Sequence, residues 1–235
     1  IKLFFSFFVK KKKKIMDTND FKKYLIKHKN INSLFIHDYF NYQNNTHHVV
    51  DDNSSGIVIN IFSKLIESRI IFLSTDMEAD VCNLIKAQLL YLEQISDEDI
   101  KIYIDSGGGS VYSGLGLLDT MEYIKPDIVT INTGLAASMA AIVLCSGTKG
   151  KRKALKRSKT MLHQPLGYTG FAQASDIEID AKHINSLKKD LYEIISEKTK
   201  QPYSKVYKDG DRDYWMNAVE AKKYGMIDKI IDKRK

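Results

Sequence analysis

The stretch that decides the fold is Ile128-Val129-Thr130-Ile131-Asn132-Thr133-Gly134-Leu135-Ala136-Ala137-Ser138-Met139-Ala140-Ala141. It opens on a short run rich in β-branched residues, which is typical of a buried strand. Small side chains follow, and the segment Leu135–Cys145 predicts a closely packed helix. The pattern therefore predicts a strand that ends by Gly134, with Ser138 in the first turn of the helix after it.

The same alternation of strands and helices continues in both directions. Five further strands are predicted at Arg69–Leu73, Ile102–Ile104, Lys151–Leu155, Thr160–Leu162 and Ile227–Ile231. Four further helices are predicted at Ala79–Glu93, Val111–Ile124, Asp176–Lys198 and Ala218–Tyr224, with capping boxes at Ser175/Glu178 and Asn217/Glu220. Strands that alternate with helices predict an α/β domain with a largely parallel sheet.

Composition indicates one folded domain behind a polar leader. The chain has 235 residues, of which 43% are hydrophobic, enough for one sizeable core. Residues 1–54 carry a net charge of +5 and the remainder only +2. We therefore predict a flexible leader over residues 1–55, with Met16 as a possible start, and a near-neutral domain over residues 56–235.

Charge and cysteine patterns exclude several classes of site. Lys149–Lys159 holds seven basic residues in eleven, but no aromatic residues lie between them. A solvated charge run at a strand edge is therefore favoured over nucleic-acid binding. Cys82 and Cys145 lie in apolar surroundings without metal-binding spacing, which predicts reduced core thiols in a reducing compartment and no metal. The apolar start is too short to span a membrane, and its lysines follow it, unlike in a secretory signal.

Three polar residues could together supply nucleophilic catalysis. Ser138 follows a strand among small residues that leave room for a substrate backbone, and a helix start there would favour a developing oxyanion. His163 and Asp213 could act as the base and the acid that orients it. Taken singly, each has a plainer interpretation: a capping serine, a structural histidine and a turn-capping carboxylate.

A glycine run provides a fourth component of such a site. Gly107-Gly108-Gly109 lies between a predicted strand and a predicted helix, but neither phosphate-binding glycine motif is present. The remaining use of such a turn is to present bare backbone N–H groups to an oxyanion or to a peptide strand.

In this order, the segments resemble the proteolytic subunit of the Clp protease, the ClpP family, over about residues 57–233. The resemblance rests on Arg69–Leu73, Ser106–Val111, Gly134–Met139, Gly150–Arg152, His163–Gly167, Asp211–Asp213 and Ala221–Asp228. It implies the ClpP/crotonase-like fold, made of repeated strand-strand-helix units, with a projecting handle helix. It also implies a serine endopeptidase that assembles as two stacked heptameric rings.

The resemblance assigns roles to individual residues. Ser138 matches the nucleophile, His163 the general base and Asp213 the orienting acid, while Gly109 and Met139 match the backbone donors of the oxyanion hole. Tyr103 matches a position in the pocket where an unfoldase docks. The family has no cofactor or metal of its own, and ATP is consumed by an AAA+ partner of the ClpX, ClpA or ClpC type that delivers unfolded chains.

Departures from the family pattern keep alternatives open. Asp105-Ser106-Gly107-Gly108-Gly109 stands where the family usually has Asn-Ser-Pro-Gly-Gly, and an inward Asp105 carboxylate would oppose an oxyanion. Lys153 stands where many members have a small or apolar residue. A crotonase-like acyl-CoA enzyme and a non-catalytic ring subunit remain as alternatives. The bacterial cytoplasm is the expected location, with a plastid or the mitochondrial matrix as alternatives.

Overall fold

A computed structural model gives the structure of the chain, and it describes residues 48–50, 58–167 and 170–233. Most of the predicted leader lies outside these residues. Within the described ranges the strands are β1 (His48–Val50), β2 (Val58–Asn60), β3 (Ile70–Leu73), β4 (Ile100–Ser106), β5 (Ile128–Ala137), β6 (Lys153–Leu155), β7 (Lys159–Leu162), β8 (Tyr214–Asn217) and β9 (Lys229–Ile231). The helices are α1 (Ile61–Glu67), α2 (Ala79–Ile95), α3 (Val111–Tyr123), α4 (Met139–Cys145), α5 (Ala174–Thr199), α6 (Tyr203–Asp209) and α7 (Ala218–Tyr224).

The predicted α/β architecture is confirmed. Strands β3, β4, β5, β6 and β9 lie side by side in that order, and every neighbouring pair is parallel. Strand β7 is parallel to the second half of β5, and β8 joins β7 as an antiparallel edge. A separate hairpin pairs β1 with β2. Parallel strands need helical crossovers, so α2, α3 and α4 each connect two of them.

The core lies between the sheet and the helices α2, α3 and α4. Every residue of α4 is buried, and it packs between β5, α3 and α5. This burial explains the run of alanine and small apolar residues, because a bulkier helix could not approach both neighbours closely. Among the described residues no helix is long and apolar enough to cross a lipid bilayer.

The predicted boundary between β5 and α4 was wrong. The strand does not end by Gly134 but continues to Ala137, so Ser138 precedes the first residue of α4 instead of lying in its first turn. The reason is tertiary: Leu135, Ala136 and Ala137 pair with Lys159, Thr160 and Met161 of β7. A neighbouring strand thus overrides the weak local preference of a Gly/Ala segment.

The capping predictions had different outcomes. Asn217 and Glu220 form the predicted capping box at α7, which ends at Gly225. The box predicted at Ser175 and Glu178 was wrong, because α5 begins at Ala174 and its cap, Gln173, makes no side-chain cap hydrogen bond.

Helix α5, predicted as a projecting handle, is exposed over its first half and partly buried over its second. Its buried residues, Leu191, Tyr192, Ile195 and Thr199, all lie in the second half of its 26 residues. In the first half Ile177 and Ile179 are 45% and 63% exposed, and Phe171 just before the helix is fully exposed. At 1.5 Å per residue the 26-residue helix is about 39 Å long.

The basic stretch at 149–159 was predicted to be a solvated strand edge, and this was wrong for two of its members. Arg152 is only 4% exposed and makes a two-pronged ion pair with Asp228, at 2.6 and 2.9 Å. Lys151 bridges Asp99 and Asp127 at 2.8 and 2.6 Å. Strand β6 lies between β5 and β9 rather than at the edge, so these charges pair within the fold.

Candidate active site

Sheet register assembles the three predicted polar residues. Ala137 at the end of β5 is paired with Met161 of β7, and the Ser138 N–H donates to the Met161 carbonyl at 3.0 Å. Leu162 at the end of β7 is paired with Tyr214 at the start of β8. His163 and Asp213 are the next residue outward on each of these antiparallel strands and therefore face each other. Positions far apart in sequence thus become neighbours.

The imidazole of His163 lies between the other two side chains. Its Nε2 is 2.8 Å from Ser138 Oγ, and its Nδ1 is 3.3 Å from Asp213 Oδ1. The imidazole is largely buried, with 19% of the side chain exposed, whereas 61% of the Asp213 side chain is exposed. With Nδ1–H facing the carboxylate, Nε2 is free to accept the serine proton, which is the arrangement needed for nucleophilic attack.

The backbone of Ser138 is strained. Its φ of 54° and ψ of −127° lie outside the regions that non-glycine residues prefer. A sharp strand-to-helix turn of this kind lifts the hydroxyl clear of both elements. It also leaves the Met139 N–H at the free amino end of α4, where a helix has no internal acceptor for it.

The glycine loop packs directly against this turn. Gly108 and Gly109 have φ angles of +97° and +148°, and a Cβ on Gly108 would lie 2.9 Å from the Met139 nitrogen. A bridge to Met77 uses the Gly108 carbonyl and the Ser110 N–H, at 2.8 and 3.0 Å. In an extended segment, alternate residues point to opposite sides, so the Gly109 N–H between them points away from Met77.

The Asp105 carboxylate is engaged elsewhere. Its Oδ1 accepts a hydrogen bond from the Leu135 N–H at 2.8 Å and so ties the end of β4 to β5. A carboxylate held on the Leu135 amide is not free to turn toward the amides of Gly109 and Met139. The inward carboxylate that would oppose an oxyanion is therefore not the arrangement observed.

Tyr103 lies apart from these residues, on β4. Its ring stacks on Phe72 at 5.4 Å and borders a surface cleft of about 790 Å³. Lys101, Lys153 and Lys229 also line this cleft. Lys153, singled out above as unusual, therefore does face the region predicted for docking, and it makes that region more basic.

Sequence reasoning gave no role to Gln164, which contacts two parts of the site. Its Nε2 donates to the Asp211 carbonyl at 2.8 Å, and its Oε1 accepts from Lys188 of α5 at 3.0 Å. No local pattern could have indicated this, because the partners are 47 and 24 residues away. Within the described part of the chain, no group of three or more His, Cys, Asp or Glu side chains could hold a metal.

Comparison with known proteins gives one consistent result. The sequence model of the family described as Clp protease matches residues 53–234. ATP-dependent Clp protease proteolytic subunits from Bacteroides fragilis (strain YCH46) and Porphyromonas gingivalis are 46% and 48% identical, each over 92% of this chain and 100% and 99% of their own lengths. Subunit 2 from Parasynechococcus marenigrum is 49% identical over 79% of this chain and 95% of its own. The similarity extends beyond the three quarters of the chain predicted from motifs.

Proposed function

Since the chain belongs to the Clp protease family, we propose that it is a serine-type endopeptidase subunit whose triad is Ser138, His163 and Asp213. The observation that carries the proposal is the imidazole of His163, which lies 2.8 Å from the serine hydroxyl and 3.3 Å from the carboxylate. A crotonase-like enzyme would not need these three residues together, and the Clp protease match leaves that alternative without support.

The proposed reaction has two halves. Ser138 Oγ attacks the scissile carbonyl carbon while His163 Nε2 takes the hydroxyl proton, and the carbonyl oxygen becomes an oxyanion. The C–N bond then breaks, and His163 gives the proton to the leaving amine. Water attacks the resulting acyl-serine while His163 accepts its proton. The ester bond to Ser138 then breaks, and His163 returns the proton to Ser138 Oγ, which releases the carboxyl product and regenerates the hydroxyl.

Two backbone amides would stabilise the oxyanion. The N–H of Met139 opens α4, and the N–H of Gly109 points away from the Met77 bridge. Removing one such donor typically costs 100- to 1,000-fold in kcat. The imidazole of His163 is largely buried, which keeps the base in a partly dry site beside the exposed Asp213 carboxyl group. The proposed reaction needs no metal or cofactor.

The exposed apolar part of α5 supports self-association. Phe171, Ile177 and Ile179 would be costly to leave in water, so a second copy of the chain is their natural cover. We propose two stacked heptameric rings, with an AAA+ unfoldase of the ClpX, ClpA or ClpC type using ATP to deliver unfolded polypeptides in the bacterial cytoplasm. The cleft that Tyr103 borders is the proposed unfoldase contact.

The test of the triad is a labelling and turnover experiment. We expect a fluorophosphonate probe to label wild-type protein at Ser138, and Ser138→Ala to lose both labelling and hydrolysis of a fluorogenic peptide. Ser204→Ala, an exposed serine in α6, is the matched control and should keep both. Native mass measurement should find equal particle sizes for all three proteins. Peptide hydrolysis retained by an assembled Ser138→Ala particle would refute the assignment.

A second experiment tests the unfoldase contact. Tyr103→Ala should lose ATP-dependent degradation of an unfolded protein in the presence of an unfoldase, while hydrolysis of a short peptide is unchanged. Tyr123→Ala, which removes an exposed tyrosine from the end of α3, is the control. If Tyr103→Ala lost both activities equally, Tyr103 would be needed for the structure of the subunit, and the proposed unfoldase contact would be wrong.

A further inference from the structure

The carboxylate of Asp213 depends on its backbone for its position. Its side chain is 61% exposed, and its distance to His163 Nδ1 is 3.3 Å, long for a charge-assisted hydrogen bond. An exposed side chain has few contacts of its own to hold it in place. The distance from the Asp213 carboxylate to His163 therefore depends on where the backbone places residue 213. That position is set by the contacts that hold residues 210–212.

Two side chains hold the carbonyls of this segment. The Tyr192 hydroxyl, from the buried half of α5, donates to the Gly210 carbonyl at 2.6 Å. The Gln164 amide donates to the Asp211 carbonyl at 2.8 Å. Gln164 directly follows His163, and Asp211 lies two residues before Asp213. This second bond therefore joins the chain just after the base to the chain just before the acid.

Lys188 sets the orientation of the Gln164 amide. Its ammonium group, a donor only, binds Gln164 Oε1 at 3.0 Å, and that leaves the amide NH₂ facing the Asp211 carbonyl. The same ammonium group lies 4.4 Å from the centre of the Tyr207 ring, so it is held from two sides. Helix α5 thus supports the Gln164 contact through Lys188.

We propose that Gln164 and Lys188 are positioning residues that act through Asp213, a clamp that holds the acid opposite His163. The inference rests on the proposed triad. Neither residue touches the serine or the substrate carbonyl. Gln164 fixes the backbone that carries Asp213, and Lys188 fixes Gln164. The clamp also makes the His163–Asp213 pairing depend on the placement of α5.

The test is a double-mutant cycle on the full-length, assembled protein. Gln164→Ala should lower kcat for a fluorogenic peptide, and the rate of fluorophosphonate labelling, about three- to tenfold with KM unchanged, because one positioning hydrogen bond is lost. In an Asp213→Ala background the same change should alter the labelling rate less than about 1.5-fold, since the group it positions is already gone. Lys188→Met should behave likewise, and Lys188→Arg should recover most of the rate.

Matched controls separate this effect from a general loss of contacts. Gln201→Ala removes a glutamine amide that donates to the Tyr224 carbonyl at 2.9 Å, and Lys189→Ala removes the lysine next to Lys188. Both should leave kcat unchanged. An unchanged rate in Gln164→Ala, or an equal fall in both backgrounds, would overturn the clamp. If Gln164→Ala does not assemble, the Lys188→Met cycle decides by the same criteria. Retained activity in Ser138→Ala would instead overturn the triad.

Discussion

A methyl group added at Gly108 should disable the site and also lower the stability of the domain. Gly108 has a φ of +97°, and a Cβ there would lie 2.7 Å from the Ala137 carbonyl oxygen, 2.7 Å from Ser138 Cβ and 2.9 Å from the Met139 nitrogen. Two of these atoms are backbone and cannot rotate away. Gly108→Ala must therefore push the glycine loop away from the turn that carries Ser138.

The cost follows from these contacts. Placing an L-residue at positive φ costs about 1–2 kcal/mol, and overpacking adds about 1–3 kcal/mol. The sum, about 2–5 kcal/mol, corresponds to a fall in melting temperature of roughly 4–20 °C for a chain of this size. A displacement of about 1 Å between the loop and Ser138 would lower kcat about 100-fold.

The neighbouring glycine provides the control. A Cβ on Gly107 would meet no atom closer than Asp76 Oδ1 at 3.8 Å, and its φ is not in the left-handed region. Gly107→Ala should be neutral or stabilising by about 0.4–1 kcal/mol, through the lower entropy of the unfolded chain. Differential scanning fluorimetry at one protein concentration, together with kcat for a fluorogenic peptide, measures both variants. If both retain the wild-type melting temperature, and kcat within twofold of each other, the steric argument is wrong.

Three other outcomes are expected. Burial works to raise the pKa of Asp228, but its hydrogen bonds with Arg152 outweigh this effect and lower the pKa. Asp228→Asn should therefore lower the free energy of unfolding by about 3 kcal/mol at pH 7. This difference should persist above pH ~4 and shrink as pH falls through the lowered pKa, as melting curves from pH 3 to 7 would record. Burial raises the pKa of Cys82 to about 11 and of Cys145 to about 12, so neither thiol should react with a disulfide reagent at pH 8 until the protein unfolds. Equal reaction rates in folded and urea-unfolded protein would contradict this. Ile179→Asp should reduce the native particle mass, whereas Lys182→Asp on the same exposed half of α5 should not; equal masses for both would argue against α5 as the contact between copies.

Sequence patterns predicted the regular elements well where burial is strong. The β-branched run at Ile128–Ile131 and the helical spacing in α2 both indicate a buried face. The run begins β5 and the spacing lies within α2, although β5 continues beyond its predicted end. The order Ser138, His163, Asp213 also pointed to residues that the fold brings together. Local patterns predict these elements correctly because each one has a clearly buried face, and burial selects the apolar residues that form the pattern.

Prediction failed where a distant neighbour decides the local structure. Leu135–Ala137 has the composition of a helix start, but pairing with β7 makes it a strand. Arg152 looks like one charge in a solvated run, yet Asp228, 76 residues away, draws it into the interior. The Gln164 contacts with Asp211 and Lys188 are of the same kind. No single-sequence pattern encodes such partners.

The exposure of Asp213 has a consequence for the lone subunit. With 61% of that side chain in contact with solvent, water competes for the oxygen that the imidazole needs. Its contact with the imidazole is therefore weaker than the same contact would be if it were shielded from water. A neighbour that dried this flank would strengthen the interaction, since charge-assisted hydrogen bonds gain strength at low dielectric constant. The access of water to this one side chain thus sets how firmly the imidazole of His163 is oriented.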